Sequence, residues 1–277
     1  NRNMITFPNA KINLGLNIVS KRPDGYHNLE TVFYPLAIKD ALEIIVKDGQ
    51  GKDTFFESGI KVDASPETNL VMRALSLMRK YYNFPFVEVH LLKKIPFGAG
   101  LGGGSADASF MLKLLNQTFQ LNASDEELIR LAVQLGADCP FFIYNHPVFA
   151  TGIGEVFEKI ELSLKGYYFV LIKPEIHVPT KDAFALISPK QPKHSLMEIV
   201  KLPVTEWKDF MVNDFEESVF AKYPAIGDIK DSLYRQGALY ASMSGSGSSV
   251  YGIFTEQVED LESVYKDCFC QQGKFEY

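Results

Sequence analysis

Five glycines fall within seven residues, Gly98, Gly100, Gly102, Gly103 and Gly104, inside the stretch Pro96 to Asp107 that reads PFGAGLGGGSAD. The stretch leaves a strand-like segment and enters a helix-like one. Without a Cβ the chain takes positive φ freely, so successive N–H groups can converge on one anion while the unpaired N–H groups of the following helix face the same point. The chemistry this suggests is phosphate binding; the competing reading is a glycine turn chosen for tight packing. Gly98, Gly100 and Gly103 also fit GxGxxG, with Asp125 about 20 residues on, as a dinucleotide fold requires. That fold is set aside because the strand feeding the loop alternates polar with apolar residues and Asp125 sits at a helix start, not a strand end. A Walker A loop is absent too, since no lysine stands where GK[ST] needs one. The positive charge must come from elsewhere.

Lys11 is the natural source, because it shares the polar face of its strand with Asn13, two residues on. A solvated edge lysine is the plainer alternative. Asp138 follows a helix stop at Gly136 and lies between Ala137 and Cys139-Pro140-Phe141-Phe142, an apolar setting in which an unpaired carboxylate is costly. A helix-cap or turn aspartate would also stand there. Tyr26 and His27, just past an Asp-Gly turn, read as a ligand edge or as ordinary strand residues.

The elements that must position these groups are a mixture of strands and helices without strict βαβ alternation. Residues 9 to 20 alternate, Ala10, Ile12, Leu14, Leu16 and Ile18 against Lys11, Asn13, Gly15 and Asn17, which predicts a half-buried strand. Pro23-Asp24-Gly25 marks a turn, and strands over 26–38 and 41–47 complete an expected antiparallel meander. A helix is expected over Pro66 to Tyr82 and a strand over 86–95, with Val87, Val89, Leu91 and Ile95 opposite Glu88, His90 and Lys94. After the glycines, Ser105 to Phe119 has helical spacing, and Ser124 with Glu127 forms a capping box for a helix ending at Gly136. The second half predicts strands at 155–160, 167–173, 238–243 and 249–254, and helices at 180–187, 194–201, 205–220, 224–235 and from Gln257. The strands at 238–243 and 249–254 flank a second small-residue loop, Ser244 to Ser249. The fold class is α+β in two domains, 1–155 and 156–277.

At 277 residues and 46% apolar composition the chain can bury a substantial core. A net charge of −6 and basic runs no longer than pairs such as Lys93-Lys94 argue against nucleic acid or a membrane surface as partners. Cys139, Cys268 and Cys270 form neither an even disulfide set nor a CxxC pair, so a reducing compartment is expected and no metal framework is seen. No basic segment precedes an apolar run at the start, and no run of about 18 apolar residues occurs, so neither a signal peptide nor a membrane span is expected and the location should be cytoplasmic. Met4 is a candidate natural start, with Asn1 to Asn3 then an addition to it.

Taken together, PNAKINLGLNIVSKRPDGYHNLETVF (Pro8 to Phe33), PFGAGLGGGSADA (Pro96 to Ala108), GADCPFF (Gly136 to Phe142) and MSGSGSSVYGIF (Met243 to Phe254) resemble the GHMP small-molecule kinases, in the same order and nearly end to end. The glycine loop and SGSGS mark the superfamily; AKINL and RPDGYH resemble the branch acting on a cytidine-diphosphate-linked methylerythritol of non-mevalonate isoprenoid synthesis. The resemblance implies an N-terminal domain like domain 2 of ribosomal protein S5, a C-terminal ferredoxin-like domain, a cleft between them, and ATP with Mg²⁺ as phosphoryl donor. It implies that Pro96, Phe97, Gly98, Ala99, Gly100, Leu101, Gly102, Gly103, Gly104, Ser105 and Ala106 cradle the ATP phosphates. Asp138 then takes the acceptor proton with Lys11 as charge partner. Tyr26, His27 and Phe184 match positions around the cytidine, Asn13 and Thr180 line the same pocket, and Ser246 closes near the transferred phosphate.

Two departures stand out: Ala106 where relatives commonly carry a second serine, and Cys139 in place of a typical valine. Asp107 in the first helical turn suits the helix dipole but repels a phosphate, unless a metal ion intervenes or the side chain turns away. Three rivals remain: a GHMP kinase for homoserine, mevalonate or a sugar, a nonenzymatic sensor on the same scaffold, and an NAD(P) protein. A sensor would be expected to lose Asp138 or Lys11, and both are present.

Overall fold

The computed structural model describes residues 3–61 and 69–277. In chain order its elements are β1 (Asn3–Thr6), β2 (Asn9–Lys21), β3 (His27–Lys39), β4 (Ala41–Val46), β5 (Thr54–Gly59), α1 (Leu70–Tyr81), β6 (Val87–Lys93), α2 (Gly103–Phe119), α3 (Asp125–Leu135) and α4 (Cys139–Tyr144). There follow β7 (Val148–Thr151), β8 (Val156–Lys159), β9 (Tyr168–Pro174), α5 (Thr180–Phe184), α6 (Leu196–Ile199), α7 (Trp207–Phe210), α8 (Phe215–Lys222), α9 (Pro224–Arg235), β10 (Tyr240–Met243), β11 (Val250–Phe254), α10 (Leu261–Val264) and β12 (Cys268–Lys274). They gather into two compact units, each discontinuous in sequence. The first comprises Asn1–Ala10, Ile38–Phe97 and Gly102–Asn145, the second Lys11–Ala37, Gly98–Leu101 and His146–Tyr277.

In the first unit the sheet order is β1-β4-β6-β5, with β5 parallel to β6 and the other pairs antiparallel. Period-two alternation sends Leu42, Ile44, Val87, Val89 and Leu91 to one face, where they share a core with α1, α2, α3 and α4. Asn69 caps α1 by accepting the Val71 N–H at 2.8 Å, and Arg79 and Lys80 in its last turn suit the helix dipole. The helix expected from Pro66 thus begins at Leu70 among the described residues; Pro66 to Thr68 lie outside them. Ser124 caps α3 through the Glu127 N–H at 3.2 Å, while the Glu127 carboxylate accepts the Tyr82 hydroxyl at 2.6 Å.

In the second unit β10-β11-β9-β12 form an antiparallel sheet, and Val170, Ile172, Ala241, Met243 and Val250 on it share a core with residues of α5, α8 and α9. A further sheet has the order β2-β3-β7-β8. Among the described residues no helix is long and apolar enough to cross a membrane.

Four sequence expectations are corrected. β4 does not continue the meander, because it pairs with β1 and β6 instead of β3. The helix expected over 205–220 is broken at 211–214: the Leu16 N–H donates to Val212 O and the Asp214 N–H to Leu16 O, so this segment is drawn out to bond β2. The C-terminal helix shrinks to α10, and Cys268–Lys274 pairs with β9 along its whole length. Lastly, β2 is buried on both faces from Asn9 to Ile18. Its polar side is covered by neighbours in its own unit: the Tyr251 hydroxyl donates to Asn13 O at 2.7 Å, and a Cβ on Gly15 would lie 2.6 Å from Leu196 Cδ1. β5 and β7, short and without clear alternation, were not anticipated.

Candidate active site

The expected site residues fall into two groups, one in each unit. In the first unit α2 starts at Gly103 after an N-cap, Gly102, in the left-handed region at φ 68°, with no side-chain cap. The first-turn N–H groups of Gly103, Gly104 and Ser105 therefore have no helical acceptor and are open to an anion. A Cβ on Gly103 would meet Ile95 Cγ2 at 2.9 Å, so glycine is required there for the helix to start so close to β6. Asp138 is the N-cap residue of α4 but makes no cap bond, and it is part-exposed while Cys139 to Phe142 behind it are buried. The helix-cap reading is thus excluded, and the fully apolar environment expected for the carboxylate is replaced by an open one.

The turn carrying Asp138 is fixed against α2. A Cβ on Gly136 would lie 3.8 Å from Ser105 Oγ. The Ser109 hydroxyl donates to Cys139 O at 2.6 Å and Lys113 Nζ to Phe142 O at 2.7 Å, so two α2 side chains hold the α4 backbone. Burial lowers the Lys113 pKa to about 8, against the pull of Asp125. Burial likewise pushes the Cys139 thiol up to about 11, which leaves it a neutral packing group.

Asp107 answers the question of its repulsion. It is 3% exposed and turns away into the unit, where its Oδ2 accepts from Lys93 Nζ at 2.7 Å; Lys93 also donates to Asp40 Oδ2 at 2.5 Å. The other Asp40 oxygen accepts the N–H groups of Lys94 and Ile95, at 2.6 and 2.9 Å, fixing the strand end that leads into the glycines. Burial drives the Asp107 carboxyl well above its ordinary range, with Lys93 opposing, and its Oδ1 has no hydrogen-bond partner among the described residues. Burial works against the Lys93 charge, but Asp107 and Asp40 outweigh it and raise the lysine. The Asp107 carboxyl is thus engaged by Lys93 inside the unit.

In the second unit Lys11 is 4% exposed, its Nζ donating to Asn13 Oδ1 at 2.6 Å and Gly100 O at 3.0 Å and lying 5.2 Å from the Phe33 ring centre. A solvated edge lysine it is not. Asn13 passes the chain on, donating to Thr31 Oγ1 at 2.9 Å, which fixes its amide orientation. Ser244 Oγ donates to the same Gly100 carbonyl at 2.8 Å, and the Ser249 N–H donates to Ala99 O at 3.1 Å. Residues Gly98 to Leu101 are thus tied to the 244–249 turn, in which Ser246 is half-buried. Gly98 and Gly100 take φ of 56° and 77°. His27 and Phe184 stack with ring centres 4.6 Å apart, and Phe184 meets Phe215 edge-on. Tyr26 beside them is 61% exposed, and Thr180 opens α5 at the surface.

Sequence reasoning passed over Lys93, Asp40, Ser109, Lys113 and Ser244. One signal was available: Lys93 has the parity of Val87, Val89 and Leu91, so a lysine on the buried face of β6 had to have buried partners.

A glycine-opened helix beside a carboxylate-bearing turn, on a fold with these three sheets, fits a GHMP-type kinase. Residues 69–146 match the GHMP kinases N terminal domain and 200–269 the GHMP kinases C terminal family. The chain belongs to the 4-diphosphocytidyl-2-C-methyl-D-erythritol kinases. It is 57% identical to the protein of that name from Parabacteroides distasonis, over 98% of this chain and 99% of that one. A crystal structure of 4-(cytidine 5'-diphospho)-2C-methyl-D-erythritol kinase superposes with a TM-score of 0.83 at 29% identity, covering 98% of both chains. Mevalonate kinase from Methanococcus jannaschii shares the fold at a TM-score of 0.72 and 16% identity, covering 100% of this chain and 99% of that one.

Proposed function

We propose that the protein transfers the γ-phosphoryl group of ATP to the 2-hydroxyl of 4-diphosphocytidyl-2-C-methyl-D-erythritol, in the cytoplasm, as a step of non-mevalonate isoprenoid synthesis. The observation that carries this reading is the seating of the turn that bears Asp138 against Ser105, in the first turn of α2, whose N–H groups have no helical acceptor. Near-full-length identity to kinases of that name supports the acceptor.

Phosphoryl transfer needs positioning and charge neutralisation more than covalent chemistry. Pro96 to Ala106 cradle the phosphates through main-chain N–H groups, with glycine at 100 and 103 letting the loop pass against Ser244 and Ile95, where a Cβ would clash. Asp138 orients the acceptor hydroxyl and takes its proton; Lys11, already charged toward Asn13 and the Gly100 carbonyl, offsets developing charge. Mg²⁺ would enter with the nucleotide and neutralise its oxygens. Tyr26, His27 and Phe184 provide aromatic surface for the cytosine, with Asn13 and Thr180 lining the pocket and Ser246 closing near the transferred phosphate. We further propose domains of 1–155 and 156–277, a division supported by the two family matches falling one on each side. The compact units cut the chain differently because residues 11–37 and 98–101 group with 146–277.

ADP release with ATP, Mg²⁺ and the cytidyl-methylerythritol, compared with homoserine, mevalonate and a sugar, tests the proposal. Turnover confined to the cytidyl substrate is expected. Preference for another alcohol would overturn it.

A further inference from the structure

A cavity of about 650 Å³ opens in the second unit, and none of the site residues assigned above lines it. Its walls come from β2 at Asn17, the 190–194 loop, α6, α7 and the extended break at 212–214. It is large enough for a small organic ligand. Asn17 is 5% exposed, yet its side-chain amide has no hydrogen-bond partner among the described residues and faces this cavity. The amide holds two donors and an acceptor toward this open space. Asp214 adds a second open group. Its Oδ2 accepts the Ile18 N–H at 2.7 Å, whereas Oδ1 has no hydrogen-bond partner among the described residues, and the carboxylate does not cap α8. Phe210, 36% exposed, offers an aromatic surface, with His194 against it edge-on at 5.1 Å.

An amide and a carboxylate oxygen lining one cavity suit two adjacent hydroxyls: the carboxylate accepts both O–H groups or one, and the amide donates and accepts in turn. The aromatic ring suits the C–H face of a sugar. The lining carries Asp209, Asp214, Glu216 and Glu217 against Lys190 and Lys193, so a phosphorylated ligand is disfavoured and a neutral one is selected. We propose that this cavity binds a neutral vicinal diol, either a free pentitol or the sugar of a nucleoside, held by Asn17 and Asp214 against Phe210.

The test is amide NMR of the full chain titrated with ribitol, uridine and 2′-deoxyuridine, alongside the Asn17→Ala variant. Saturable shifts over residues 190–199 and 209–217 are expected with ribitol, with uridine or with both, which also separates the two sources. The deoxy compound, lacking the diol, should bind about tenfold more weakly or worse. Asn17→Ala should abolish those shifts and keep kinase turnover. No saturable shift in that region, equal binding of uridine and 2′-deoxyuridine there, or undiminished binding by Asn17→Ala would overturn the proposal. Should Asn17→Ala fail to fold, ribitol binding and the uridine comparison on the unaltered protein decide it.

Discussion

Replacing Gly100 by alanine probes the phosphate cradle most directly. The new Cβ would stand 2.0 Å from Ser244 O and 2.8 Å from Ser244 C, both main-chain atoms that cannot swing aside. The φ of 77° adds a left-handed strain of about 1 to 2 kcal/mol for a residue with a side chain. Relief requires the loop to part from the 244–249 turn, breaking the Gly100 carbonyl's bonds to Lys11 Nζ (3.0 Å) and Ser244 Oγ (2.8 Å) and the Ser249–Ala99 bond (3.1 Å). At about 1 kcal/mol each, the combined penalty reaches about 4 kcal/mol, or roughly 10²- to 10³-fold in nucleotide affinity if the loop must be restored on binding. Gly98→Ala is the control. Its Cβ would meet only the His177 ring, nearest at Nδ1, 3.2 Å, and movable, so the φ of 56° dominates and the loss should stay below about thirtyfold. Calorimetric titration with ATP, with circular dichroism to establish folding, separates the two. Equal affinities for the pair, or normal ATP binding by folded Gly100→Ala, would refute the reasoning.

Asp138→Asn should lower kcat by roughly 10²- to 10⁴-fold and leave ATP affinity within a few-fold, read by steady-state ADP release and by titration. Phe184→Ala removes the ring that stacks on His27 and should raise KM for the cytidyl substrate by about 5- to 100-fold with KM for ATP little changed, since base stacking is worth about 1 to 3 kcal/mol. Lys93→Met strips the ammonium from between the buried Asp40 and Asp107 carboxyls and should cost about 3 to 5 kcal/mol of folding stability, measured by urea unfolding. Tyr34, raised to about 12 by burial, keeps its proton longer in the folded than in the unfolded chain. Its contribution is therefore complete below the unfolded value of 10.0 and is lost between there and about 12, up to about 3 kcal/mol, so Tyr34→Phe should flatten the fall in urea midpoint over that range.

Much of the site could be read from the chain because its signals are local. A glycine cluster between strand and helix needs only its neighbours to announce an anion nest, and residues two apart on a strand share a face, which paired Lys11 with Asn13 before any contact was seen. The helices α2, α3 and α9 were legible for the same reason: periodicity, a serine cap and a proline at the first turn act within a few residues. The 205–220 helix failed because its break is made by bonds to β2, nearly two hundred positions earlier. The C-terminal strand failed because its seven residues gain strand character from pairing with β9, not from alternation.

The linear order of residues determined the glycine loop, the candidate acid and cation, the two-part α+β composition and the family, since each rests on residue types at short, fixed spacings. Tertiary structure alone decided that Asp107 turns inward onto Lys93 and that one carbonyl, Gly100 O, gathers both Lys11 and Ser244. It also decided that Asn17 ends in a cavity with its amide unpartnered. The physical reason is that burial and hydrogen-bond satisfaction depend on which distant segments cover a side chain, and a sequence records the side chain but not its cover.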